Sequence, residues 1–186
     1  PAENFVSKYF AGYEVDPTKG TISIGGERYI LVRAASLSVQ FFEFLKKMYP
    51  ALSEHESVEA TATVLYDIAK GIGQHDARHF HTVMKLNGPV EKLSSGPVHF
   101  AFSGWAFVDI AAESKPSPDK NFFLLYDHPQ SFEADSWLGK NLKADHCVCH
   151  MNAGYSSGWC EESFGIPLRS REILCRVKGD PVCRFI

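Results

Sequence analysis

The sequence predicts an α/β protein of the α+β kind, an antiparallel sheet packed with helices, opening with a hairpin and helices and closing with a strand pair. Three observations predict it. Apolar residues at helical spacing (Val58, Ala62, Val64, Leu65, Ile68, Ala69, Ile72) run through residues 53–85. Short alternating or aromatic runs, each closed by Gly, Pro or Asp, lie on either side of that stretch. Aromatic residues make up 13% of the chain, with Phe leading, which supplies a large core. A length of 186 residues fits one domain, or two small subdomains sharing a core.

Residues 1–19 read as a lead-in segment, partly mobile. Thr21-Ile22-Ser23-Ile24 alternates, Gly25-Gly26 turns, and Arg28-Tyr29-Ile30-Leu31-Val32-Arg33 returns, the pattern of a hairpin. Ser36 is placed to cap a helix with an apolar face of Leu37, Phe41, Phe44, Leu45 and Met48, ending before Pro50. Residues 53–85 continue as helix, with Gly71 and Gly73 as points of bending or interruption. After Gly88-Pro89 and Gly96-Pro97 the chain becomes aromatic. His99–Ile110 and Asn121–Asp127 are expected as antiparallel strands joined by the polar loop 113–120. Ser131 caps a helix expected to reach Leu142. The small, glycine-rich run 152–159 suits closely approaching helices; as a phosphate loop it lacks the G-x-x-x-x-G-K-[ST] pattern. Residues 166–177 and 182–186 close the chain as a strand pair, with Gly179-Asp180 at the turn.

The net charge of −3, with both signs interspersed, gives no basic stripe for nucleic acid. No apolar run approaches the roughly 20 residues that span a bilayer. A cytoplasmic location is expected. The absence of an initial Met and the apolar ending Phe185-Ile186 suggest a piece of a longer protein.

All five cysteines lie beyond position 146. Thiolate and carboxylate are both good zinc ligands, and four such groups close a tetrahedral structural site. Cys149, Glu172, Cys175 and Cys183 are the favoured set. The rivals are His150, Cys147 and Cys160, with Glu161 and Glu162 as alternative carboxylates. Free cysteines are also common as small buried apolar residues, and C-x7-C is not a familiar short zinc spacing. An odd cysteine count and no signal peptide argue against a disulfide framework. His75, His79 and His81 share a helical stretch, but with no third ligand and no intervening Glu they read as a polar helix face.

Gly96-Pro97, Ser131-Phe132-Glu133, Gly154-Tyr-x-Ser-Gly158 and Glu172-x-x-Cys175-x7-Cys183 together resemble the 4-vinyl reductase-type small-molecule-binding domain. Thr21 to Arg33 resembles the segment that precedes that domain in phenol- and xylene-responsive sigma-54-dependent activators. The resemblance runs from about residue 14 to the end and implies a cytoplasmic ligand sensor. It divides the chain into the lead-in 1–19, a hairpin and helical dimerisation part at 20–90, and a ligand-binding part at 91–186, together one sensor unit. In that family three Cys and one Glu hold a structural zinc beside the ligand pocket, and Cys149, Glu172, Cys175 and Cys183 match those positions.

The pocket departs from the family. Phenol sensors read the hydroxyl with a His and a Trp, whereas the matching places hold Phe100 and His128, with His99 next door. The expectation is an apolar cavity lined by Phe100, Phe102, Tyr126, His128 and Trp159, taking a small hydrophobic or aromatic molecule. The alternative is that these aromatics simply fill the core, with His128 a core histidine or a surface residue of the Asp127-His128-Pro129 turn. The resemblance also implies a homodimer and an output module outside this chain. Two other readings follow from it: a catalytic or accessory part in tetrapyrrole vinyl reduction, and a non-catalytic assembly domain. Against catalysis, no nucleophile–base pair or hydride-cofactor fingerprint is visible.

Overall fold

In the computed structural model, which describes residues 2–186, the chain begins with helix α1 (Ala2–Phe10), whose Val6 and Tyr9 are buried. The expected loose lead-in is thus part of the core. Strands β1 (Glu14–Asp16), β2 (Thr21–Ile24) and β3 (Glu27–Tyr29) form an antiparallel meander with Val15 opposite Ile22 and Ser23 opposite Arg28. Gly25 and Gly26, at φ 60° and 91°, make the tight turn between β2 and β3. The returning strand stops at Tyr29, and Ile30 and Leu31 stand 74% and 80% exposed.

Ser36 does not cap the next helix. Helical structure begins at Ala34, passes through a π turn at Ser36–Gln40 and continues as α2 (Phe41–Lys47). Ala35 stands at the cap of the π turn with no side-chain bond, and within the turn the Ser38 hydroxyl donates back to the Ala34 carbonyl at 3.2 Å. A π turn accommodates an extra residue and shifts the face that follows by about 100°. Phe42 and Leu45 therefore face the core, while Phe44 and Met48, expected inside, are exposed.

Helix α3 (Glu54–Val83) opens with a reciprocal cap. Glu56 N–H donates to Ser53 Oγ at 3.3 Å and Ser53 N–H donates to Glu56 Oε2 at 2.9 Å. Neither Gly71 nor Gly73 interrupts it. Gly73 instead meets the backbone of α6 (His150–Phe164) at Tyr155, while Gly154 and Gly158 of α6 meet the α3 backbone at Tyr66 and Lys70. A Cβ at any of these three would collide with main chain, so the expectation of close helix packing at 152–159 holds.

The aromatic run at 99–110 is mostly not strand. Gly88 and Pro89 start helix α4 (Pro89–Phe102), which places Leu93, Gly96 and Phe100 on one buried face at helical spacing. Only Asp109–Ile110 (β4) is extended and paired. The next strand, β5, covers Tyr126–His128 and not the expected 121–127, with an isolated Lys115–Phe123 bridge before it. Helix α5 (Phe132–Leu138) has the expected Ser131 cap and ends at Gly139 rather than Leu142. Strands β6 (Glu172–Leu174) and β7 (Cys183–Phe185) pair as expected, but the expected strand 166–177 is reduced to β6, with a 3-10 turn at Arg176–Lys178. They complete an antiparallel sheet of order β4-β5-β7-β6. The division placed at 90/91 falls inside the first turn of α4. Among the described residues, no helix is long and apolar enough to cross a membrane.

Candidate metal cluster and ligand cavity

Four short pieces of backbone bring the favoured donors together. Cys149 is the residue before α6, Glu172 begins β6, Cys175 follows it, and Cys183 begins β7. All four are buried, and their donor atoms lie within 4.8 Å of one another. Cys149 Sγ is 3.7 Å from Cys183 Sγ. Two thiolates on one tetrahedral zinc, each at about 2.3 Å, sit about 3.8 Å apart.

The electrostatics of the group favour a cation. Burial pushes the Cys149 thiol up and the Glu172 carboxyl up to about 8. Cys175 is drawn down by hydrogen bonds from Cys147, Cys149 and Cys183. Glu172 Oε2 accepts from Cys149 N–H at 2.8 Å, but Oε1 is buried without a partner. A buried, unpaired carboxylate oxygen among thiols is costly unless a cation meets it. The donor chemistry and spacing fit one tetrahedral zinc held by three sulfurs and one oxygen.

The rival donors are not among the four gathered atoms, although Cys147 adjoins Cys175. Cys147 is half-buried and bonds to the Glu172 carbonyl at 3.6 Å. His150 stacks on Phe42. Glu161 accepts from Lys70 and Gln74, and Glu162 accepts from Arg78. His75, His79 and His81 are not gathered: His79 bonds to the Gly25 carbonyl at 3.0 Å, and His81 packs on Trp159.

On the other side of α6 lies an apolar cavity of about 40 Å³ between α4, β5 and α6. That exceeds a packing defect, since about 10–15 Å³ holds one water. Phe100, Tyr126 and Trp159 line it as expected, joined by Leu93, Leu124, Tyr155 and Cys160. Gly96 lets the Trp159 indole lie against α4, where its N–H donates to the Lys92 carbonyl at 3.0 Å. The Tyr126 hydroxyl is paired with Ser170 at 2.6 Å. Little polarity is left to face the cavity.

His128 lies just behind that wall, 5.5 Å from the Phe100 ring and 5.4 Å from Tyr126, and against Phe185 at 4.4 Å. It is fully buried, and neither ring nitrogen has a partner. Burial lowers its pKa to about 3, so the ring is neutral, one nitrogen donating and the other accepting. Phe102 is not in the cavity. Two residues beyond Phe100 on a helix, it points elsewhere, 47% exposed against Phe10. His99 instead joins a buried chain in which the Tyr155 hydroxyl donates to Asp76 at 2.8 Å and lies 3.2 Å from His99 Nδ1.

No protein-family model matches the chain. A curated relative, "Phenol regulator MopR" of Acinetobacter guillouiae, is 24% identical over 172 residues, covering 92% of this chain and 29% of the relative. The chain thus spans less than a third of that protein. The crystal structure of the phenol-responsive sensory domain of the transcription activator PoxR with phenol aligns over 98% of this chain and 87% of its own, with a TM-score of 0.81 and 21% identity. The fold is that of this sensory domain. The resemblance to aromatic-responsive activators read from the sequence is borne out by both.

Within the sensory-domain fold, some contributors carried no individual signal. Leu93 and Leu124 belong to no motif, and Tyr155 stands in the Gly154-to-Gly158 motif without a pocket role expected of it; all three line the cavity. Ser131 is expected only as a helix cap, and Glu133 has no expected role. In the structure they surround the start of α6: Met151 and Asn152 N–H donate to the Glu133 carboxylate at 3.0 and 2.8 Å.

Proposed function

We propose that this chain is the cytoplasmic ligand-sensing domain of a bacterial transcription regulator, non-catalytic, with a structural zinc and a pocket for a small aromatic molecule. The observation that carries the reading is the apolar cavity backed by His128, a buried imidazole whose two nitrogens have no protein partner. Buried polar groups are rarely left unpaired, and a ligand group reaching through the wall would pair this one. Phe100 cannot hydrogen-bond a hydroxyl, so a phenolic ligand would be read by His128 alone. MopR and PoxR, both described as phenol-responsive regulators, support sensing over catalysis.

The zinc ligands are Cys149, Glu172, Cys175 and Cys183. The ion closes β6 and β7 onto the start of α6, the helix that walls the cavity, and with no open position it serves structure. The ligand-binding part is 91–186, and the hairpin and helices at 20–90 contact a second copy. The output module lies outside this chain. Ligand binding alters output only as far as it favours one signalling state over another.

Isothermal calorimetry with phenol, a cresol and toluene tests the reading. One-site saturable binding of at least one of them, with a negative heat-capacity change from apolar burial, is expected. No heat and no thermal shift with any of the three would overturn it.

A further inference from the structure

Ser131 is buried beside the first metal donor, and its hydroxyl has three neighbours. Asn152 Nδ2 lies at 2.7 Å, Ala134 N–H at 3.4 Å and Cys149 Sγ at 3.3 Å. A serine hydroxyl has one proton to give and two lone pairs to accept with. The Asn152 and Ala134 N–H groups can only donate, so they occupy the lone pairs. The remaining proton is directed at Cys149 Sγ. The same arrangement follows from the other end. A thiolate on a cation can only accept, so Ser131 must donate to it, and Asn152 must then turn its NH2 towards Ser131.

The surroundings hold this geometry. Asn152 is fully buried, and its backbone N–H is fixed on Glu133 Oε2 at 2.8 Å. Glu133 is itself fully buried and holds Met151 N–H with its other oxygen at 3.0 Å. The first turn of α6, which carries Asn152, therefore cannot rotate away from Ser131.

We propose that Ser131 is a positioning residue for the metal centre: its hydroxyl donates to the Cys149 thiolate, aimed by Asn152 and, through the first turn of α6, by Glu133. This rests on the metal reading above. The hydrogen bond withdraws charge from one sulfur and fixes its direction towards the ion. Groups in this outer position typically alter metal affinity 10- to 100-fold.

The test uses this chain loaded with cobalt(II), whose sulfur-to-metal charge-transfer band reports the electron density on the thiolates. Ser131→Ala is expected to bind cobalt with that band moved to lower energy, and to surrender metal to a chelator about 10- to 100-fold faster. Ser131→Thr, which keeps the hydroxyl, should restore both. A band and release rate identical in wild type and Ser131→Ala would overturn the proposal while leaving the metal site standing. So would a change confined to melting temperature, which loss of the α5 cap alone produces. Wild type that binds no cobalt and no zinc would overturn the metal reading and this proposal together. Should Ser131→Ala not fold, Asn152→Asp, which can only accept from Ser131, must show the same band shift.

Discussion

At the scale of single residues, the proposed function makes His128 and Phe100 the side chains that set what the pocket distinguishes. His128→Ala is expected to weaken phenol by about 1–3 kcal/mol, the usual effect of losing one buried partner, and to leave toluene nearly unchanged. Calorimetry on both ligands checks it, and an equal change for both would remove His128 as the polar anchor. Single residues were also where the sequence was most and least informative. Cys149, Glu172, Cys175 and Cys183 carry distinctive chemistry, and the structure gathers those four while leaving Cys147, Cys160 and His150 outside. Phe102 shares a face with Phe100 only at a strand's period of two, whereas α4 turns 100° per residue and carries it out of the cavity. His128 shows the limit of type alone: only the structure reveals that both nitrogens are buried without partners.

At the scale of elements, the β6–β7 pair is a short ladder. Each strand has three residues, and the ladder shifts register between Glu172 and Leu174. A short hairpin is marginal by itself in water. The metal is therefore expected to supply much of its hold. An ion present at about 1,000 times its Kd contributes about 4 kcal/mol, and about 1 kcal/mol moves the Tm of a domain this size by roughly 2–4 °C. Cys183→Ser should thus lose its zinc and melt about 8–16 °C lower, checked by elemental mass spectrometry and scanning calorimetry. Unchanged metal content and melting would remove the structural role. Local signals located several elements: the helical spacing of α3, the Gly25-Gly26 turn, Ser131 before α5 and the closing strand pair. What they missed depends on distant contacts. The π turn before α2 is a compromise between helix and core, and α4 is chosen over strand by the face it buries against Trp159 and Tyr155.

At the scale of the whole molecule, a patch is left without cover. Ile30 and Leu31 protrude after β3, and Val32, Ile68 and Ile72 border the cleft beside them. The second copy proposed above would cover this patch. Leu31→Glu is expected to convert a dimer to a monomer in sedimentation velocity; an unchanged state would move the contact elsewhere. Patterning along the chain could mark residues 20–90 and 91–186 as different in character, but not that α3, from the first part, would lie glycine to backbone along α6, from the second. Helix α6 thus follows directly on a metal donor, rests on α3 and walls the cavity with Tyr155 and Trp159. A substitution on it for any one of these purposes disturbs the others. Phe100, on α4, stands apart from the four donors, whereas His128, on β5, sits directly opposite Cys183 in the ladder. Under the proposed reading, descendants of this scaffold, natural or engineered, can acquire new effectors through Phe100 with the frame intact, while a change at His128 presses on the metal side as well.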